Sequence, residues 1–222
     1  TFLAAPIDAI HRRFIHRFDT LWIPDDPVLN LSGKMSATER LEIPYHHIGF
    51  QSALRWMESD SDYRWLAVLS GPEPARSHLE RRVLKQFMRS PGRHCILRGK
   101  PGGSRDVYSK HNIDVISVAQ GEELSHLIES ADFILCRSGY TGLMDMLVLE
   151  RNALIVPTPG QPEQEYLADR IKYSDQFVVQ SQEDMNIQEA EKQLIDMKTR
   201  TGLEVGSRDL LKEAMQEFLI NC

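Results

Sequence analysis

Residues 133–167, FILCRSGYTGLMDMLVLERNALIVPTPGQPEQEYL, constrain the fold more than any other stretch of the chain. A short apolar run (133–136) meets a Ser138-Gly139 turn, a helical stretch (140–150), a second apolar run (153–156) and a Pro/Gly-rich loop opening another helix. Strand, tight turn and helix in that order leave free backbone N–H groups at the helix start, a site the size of a phosphate. The loop after the second strand lies where the far end of a ligand would reach. A protein built this way is expected to handle a nucleotide-linked small molecule.

The same alternation extends outward. Strand-like runs fall at 18–23, 45–50, 65–69, 94–97, 113–118, 133–136, 153–156 and 177–179. From Trp65 onward they alternate with helical stretches at 75–89, 122–130, 140–150 and 162–172. Residues 207–219 form a last helix with Ser207 as its candidate cap. Short apolar strands between amphipathic helices imply a parallel sheet covered on both faces, an α/β doubly wound, Rossmann-like fold. Residues 1–50 differ, with two strands, no helix between them and a basic run at 11–17 read as a solvated helix face. The expected organisation is therefore a partial element at 1–50, a linker at 51–64, the α/β domain at 65–206 and a C-terminal helix at 207–222. The chain opens on Thr1 in mid-pattern, so further residues are expected upstream.

Composition narrows the class. A net charge of -6 argues against a nucleic-acid partner, and no apolar run reaches the length of a membrane span. Cys95, Cys136 and Cys222 lack the spacing of a metal site; buried thiols in a reducing, cytoplasmic setting fit them. His46-His47 point to opposite faces of a strand, so no metal is expected there. Asp25-Asp26 read as turn residues, and no GxSxG or P-loop occurs.

In a doubly wound sheet the ligand sits beyond the C-terminal strand ends, and four loops lie there. Ser70-Gly71-Pro72-Glu73 is either a phosphate-holding loop or an ordinary strand–helix turn. Arg98-Gly99-Lys100-Pro101-Gly102-Gly103-Ser104 is a basic cradle or a surface turn. In Arg137-Ser138-Gly139-Tyr140-Thr141-Gly142, Ser138 is placed to cap the helix and Gly139 lets a ligand approach the backbone. Asp145, further along that helix, is either a solvated carboxylate or a partner for a neutral diol such as ribose. In Pro157–Glu165, Gln164 and Glu165 offer hydrogen-bonding groups for sugar hydroxyls or simply begin a helix. No general base stands out.

At these residues the chain resembles the C-terminal, donor-binding half of GT-B glycosyltransferases of the family 28, MurG-like type. Cys136-Arg137-Ser138-Gly139, then Asp145, Pro157 and Gln164-Glu165-Tyr166, follow that family's order and spacing. The resemblance covers residues 45–180, and 18–50 are similar to the last strands of the N-terminal, acceptor-binding half.

The resemblance implies a nucleotide-diphosphate sugar donor, UDP-linked, and transfer with inversion to an unknown acceptor, lipid-linked in the MurG-like enzymes, with no cofactor and no metal. Ser138 and Gly139, with Tyr140 and Thr141 in the same helix start, would meet the diphosphate, Asp145 the ribose and backbone near Gly121 the uracil. Gly160, Gln161, Gln164 and Glu165 would meet the sugar, and Ser70-Gly71 the phosphate side. Glu73 would turn away from the diphosphate or bind sugar, and Arg55 falls two residues past the family's linker arginine. The catalytic base is expected in the N-terminal half. Location is cytoplasmic, or peripheral at the inner membrane face. Other readings are a nucleotide-sugar epimerase or hydrolase of the same fold, or a donor-binding subunit that recruits a partner.

Overall fold

The computed structural model describes residues 12–39, 41–100, 107–197 and 207–220. Its residues divide into two compact units, Ser52–Leu203 and a second made of Thr1–Gln51 with Glu204–Cys222.

The unit Ser52–Leu203 is built on a seven-stranded sheet. Its strands are β3 (Tyr63–Val68), β4 (His94–Leu97), β5 (Val107–Lys110), β6 (Ile113–Ile116), β7 (Ala131–Cys136), β8 (Ala153–Ile155) and β9 (Phe177–Val179), in spatial order β5-β6-β4-β3-β7-β8-β9. Every pairing is parallel except the β5–β6 hairpin. The central strands are apolar on consecutive residues because both faces of the sheet are covered. One face takes Trp65, Ala67, Ile96, Leu135 and Leu154, which pack with Leu79, Val83 and Phe87 of α1 (Ala75–Phe87) and Ile187, Ala190 and Leu194 of α5 (Ile187–Asp196). With this strand order, the right-handed crossover rule puts α2 (Glu122–Glu129), α3 (Tyr140–Val148) and α4 (Pro162–Ile171) on the other face. The doubly wound parallel fold expected from the apolar runs is the one observed.

Two elements escaped the sequence reading. The strand β5 is antiparallel, and His111 takes the left-handed conformation (φ 58°) that a two-residue hairpin demands. The helix α5 follows Asn186, whose side chain accepts from the N–H groups of Gln188 (3.0 Å) and Glu189 (3.2 Å). Glu191 then ties it to β3, accepting from Trp65 Nε1 at 3.1 Å and from Arg64.

In the other unit, β1 (Leu21–Ile23) and β2 (Tyr45–His47) pair in parallel, shorter than the runs 18–23 and 45–50 suggested. The helix α6 (Ser207–Ile220) lies with them, placing Phe218 edge-on to Trp22 at 6.0 Å and Glu217 at 3.6 Å from His46. Asp26 is the turn residue expected, accepting from the N–H groups of Val28 and Leu29 at 2.8 Å. Asp25 does more: fully buried, it accepts from the N–H groups of Asp26, Leu31 and Ser32 and from the Ser32 hydroxyl, and so closes the 25–32 loop. Cys222, His11 and the Ser207 side chain lie outside the described residues.

Candidate functional site

The sheet order defines where a ligand fits. From β3 the chain moves to β4 and β6; from β7, paired beside β3 with Val68 opposite Cys136, it moves the other way to β8 and β9. Loops diverging from neighbouring strands leave a crevice between them. The Ser70-Gly71 loop stands on one side and the Ser138-Gly139-Tyr140 turn on the other. Val156 N–H donates to the Cys136 carbonyl at 2.9 Å, which brings the 157–161 loop alongside. Gly121 lies at the start of α2, after β6, two strands away.

Open space stands over the backbone at each of these turns. A Cβ built on Gly71, Gly121, Gly139 or Gly160 would meet no heavy atom within 4 Å. The first turn of α3 presents its N–H groups at the crevice mouth, with Gly139 as the N-cap. Thr141 is exposed there and Tyr140 half-buried.

Ser138 does not cap this helix. It is fully buried, and its hydroxyl donates to the Gln164 carbonyl at 2.8 Å. Gln164 is buried in turn, and its Oε1 accepts from Thr158 N–H at 2.9 Å. Glu165 Oε1 accepts from Gly160 N–H at 2.8 Å. These three side chains shape the loops around the crevice: Gln164 and Glu165 accept from backbone donors of the loop between Pro157 and Pro162 that the helix does not satisfy, and Ser138 ties the turn after β7 to α4.

The residue before Ser138 organises the rest. The Arg137 guanidinium, 2% exposed, donates to the carbonyls of Val156 (3.2 Å), Pro157 (3.0 Å) and Ala75 (3.0 Å) and to Gln182 Oε1 (2.8 Å). One side chain thus joins the ends of β7 and β8 to the first residue of α1. Burial lowers its pKa to about 10, so it remains a cation at neutral pH, one residue before the α3 turn. That charge and the helix N-terminus both favour an anion at this end of the sheet.

Glu73, on the loop opposite, is an ionised carboxylate paired with Arg76. Its carboxylate accepts from Ser77 N–H at 3.2 Å and from Arg76 Nε at 2.9 Å, and hydrogen bonds from Ser77 and Arg76 hold its pKa down at about 2. Arg76 is itself buried between Glu73 and Glu80. The Arg98-Gly99 turn is part of the framework: Arg98 Nε lies 2.8 Å from Glu80 Oε1, and Gly99 packs against the Leu69 carbonyl. Residues 101–106, including Pro101 to Ser104 of the basic cradle, lie outside the described residues.

Asp145 is neither exposed nor solitary. Its Oδ1 accepts from the Ser52 hydroxyl at 2.5 Å, and burial raises its pKa. Ser52 Oγ also accepts from Leu54 N–H at 3.0 Å, and Arg55 N–H donates to Ser125 Oγ at 3.3 Å, so the strand-free segment 52–55 is laid across α2 and α3. Arg55 pairs with Glu122. Cys136, at the end of β7, is buried and its pKa is pushed up to about 12, which leaves it no nucleophilic thiolate. Among the described residues no cluster of three His, Cys, Asp or Glu side chains could hold a metal ion.

The architecture defines a class: a Rossmann-like GT-B domain. Residues 100–209 match the glycosyltransferase family 28 C-terminal domain. Solved structures show the same fold. The glycotransferase of kitacinnamycin superposes with a TM-score of 0.59 at 12% identity, over 90% of this chain and 53% of that one. SnogD from Streptomyces nogalater gives a TM-score of 0.51 at 15% identity, over 88% and 51%. Acinetobacter baumannii MurG gives a TM-score of 0.51 at 13% identity, over 97% and 77%. The chain thus spans about half the length of the first two of these structures. No curated protein sequence matches it.

Proposed function

We propose that the β3/β7 crevice binds a nucleotide-diphosphate sugar, with UDP as the nucleotide, and that the protein transfers the sugar to an acceptor with inversion. The observation that carries this reading is the crevice itself: two diverging loops, open backbone at Gly71 and Gly139, and the N-terminus of α3 beside a buried arginine. The diphosphate lies over the N–H groups of Gly139, Tyr140 and Thr141, with Ser70-Gly71 opposite. Asp145 takes the ribose hydroxyls, backbone at Gly121 the uracil edge, and the loop containing Gly160 and Gln161, held by Gln164 and Glu165, takes the sugar.

In the reaction an acceptor oxygen attacks the anomeric carbon as the bond from that carbon to the β-phosphate oxygen breaks. The nucleoside diphosphate leaves with the bonding pair, and a base removes the acceptor proton. The α3 N-terminus and Arg137 stabilise the charge gathering on the departing diphosphate, without recourse to a metal. The base belongs to residues outside the donor loops, on the acceptor side. Among the described residues no helix is long and apolar enough to cross a membrane; action in the cytoplasm or at the inner membrane face belongs to this proposal.

Isothermal titration of the chain with UDP and with UDP-GlcNAc tests the donor site. Saturable binding of both is expected, and no heat at millimolar ligand would remove the proposal's foundation. Incubation with UDP-GlcNAc and no acceptor separates transfer from its rivals, since epimer formation or sugar release would favour an epimerase or hydrolase.

A further inference from the structure

The outer face of α1 carries a charge pattern the donor site does not use. Leu79, Val83 and Phe87 are buried against the sheet, while His78, Arg81, Arg82, Lys85 and Arg89 are all exposed. Spacings of three and four residues place His78, Arg81, Arg82 and Lys85 on one stripe of the helix, and Arg89 follows in the turn after it. They line a cleft of about 530 Å³ whose opposite wall includes Gln182 and Glu183.

Several other exposed or half-buried cations of the same unit sit on carboxylates: Arg64 on Glu191, Arg93 on Asp114, Arg98 on Glu80 and Arg151 on Glu129. Among the described residues none of Arg81, Arg82, Lys85 and Arg89 forms such a pair. Arg81 Nε donates to its own helix at the Ser77 carbonyl (3.3 Å), and Arg82 donates to the Glu183 carbonyl (2.9 Å). Four unpaired cations on three turns repel one another, in a chain whose net charge is -6. Helix propensity does not require them, because neutral side chains would serve a solvated face as well.

The cleft wall is fixed. Gln86 Nε2 donates to the Met185 carbonyl at 2.6 Å and Gln86 Oε1 accepts from Ile187 N–H at 2.8 Å, so α1 and the 182–187 segment are bolted together. The Gln182 side chain in that wall accepts from Arg137, which ties the cleft to the carbonyls at the end of β8.

We propose that this cleft is an anion site for a ligand bearing more than one phosphate charge, either a soluble oligophosphate or the headgroups of an anionic lipid surface. A monovalent anion would meet Glu183 and gain little; several phosphate oxygens can engage Arg81, Arg82, Lys85 and Arg89 together. This site is separate from the donor crevice and does not depend on the donor assignment.

The test uses the full chain and the triple variant Arg81→Gln, Lys85→Gln, Arg89→Gln, which touches no residue of the crevice. Titration with inorganic tripolyphosphate and cosedimentation with phosphatidylglycerol or phosphatidylcholine vesicles give the two arms. The expected result is binding in at least one arm, weakened by salt and reduced more than about tenfold in the triple variant, with thermal midpoint and UDP affinity unchanged. Tripolyphosphate binding identifies a soluble ligand; binding to phosphatidylglycerol vesicles alone identifies the lipid surface. Binding in neither arm, or undiminished binding by the triple variant, overturns the proposal. Loss of UDP binding by the wild type would overturn the donor site and leave this one standing.

Discussion

Ser138 donates its hydroxyl to the main-chain carbonyl of Gln164 across 2.8 Å, joining the turn after β7 to the first turn of α4. A residue that reads from the sequence as a helix cap is a fastener between two loops of the site. Replacing it by Ala removes a buried hydrogen bond between the two loops. Ser138→Ala should lose ~1–2 kcal/mol of stability in the absence of any ligand, measured by urea denaturation. Unchanged ligand-free stability would return the hydroxyl to a direct role at the diphosphate.

Arg137 supports more of the site than any other side chain. Arg137→Met leaves the carbonyls of Val156 and Pro157 and the Gln182 amide oxygen without this donor and should cost at least ~3 kcal/mol, read from the denaturation midpoint. Arg137→Lys should recover only part of this, because a point-like ammonium cannot span acceptors arranged around a planar fork. Full rescue by lysine would mean that charge alone matters.

Glycines that look alike in sequence differ in what they permit. A Cβ at Gly99 (φ +61°) would stand 2.2 Å from the Leu69 carbonyl oxygen, whereas one at Gly71 (φ +97°) would meet nothing within 4 Å. Gly99→Ala should therefore destabilise by at least ~2 kcal/mol and Gly71→Ala by only about 1 kcal/mol. Chemical denaturation of the pair decides it, and equal losses would contradict the close approach of the two strand ends.

How much of this could be read in advance follows from where each residue's partners lie. The apolar runs of β3, β4, β7 and β8 announced the sheet because burial on both faces is written into consecutive residues. The loops at the switch point were also legible, since Gly139 and Gly71 follow strands directly. The strand β5 was not, because it is short, lies at an edge and owes its existence to a hairpin. Nor was α5, whose start depends on Asn186 and whose anchoring depends on Glu191 meeting Arg64 and Trp65 far away in sequence. The same holds for Ser138, Gln164 and Asp145: sequence spacing places each near the crevice, and only the folded chain shows that Gln164 O, Thr158 N–H and Ser52 Oγ occupy them.

Asp145 gives a pH signature. Burial raises its pKa in the folded state above the ordinary value of 3.8, so the folded chain binds the proton more tightly than the unfolded one. Its contribution to stability is therefore most favourable at low pH and declines as pH rises from about 3.8 through the folded value. Asp145→Asn, which retains an acceptor for Ser52, should be more stable than wild type at pH 7, a difference that shrinks on acidification through this window. Thermal midpoints across pH check this, and a pH-independent difference would refute the buried carboxylate.

Amide chemical-shift mapping on titration with UDP tests the position of the donor. Shifts concentrated at Gly71, Gly139, Tyr140 and Thr141, with loss of the response at Asp145→Ala for UDP but not for pyrophosphate, are the predicted result. Shifts that spare the α3 N-terminus, or an Asp145→Ala variant that loses UDP and pyrophosphate equally, would contradict it.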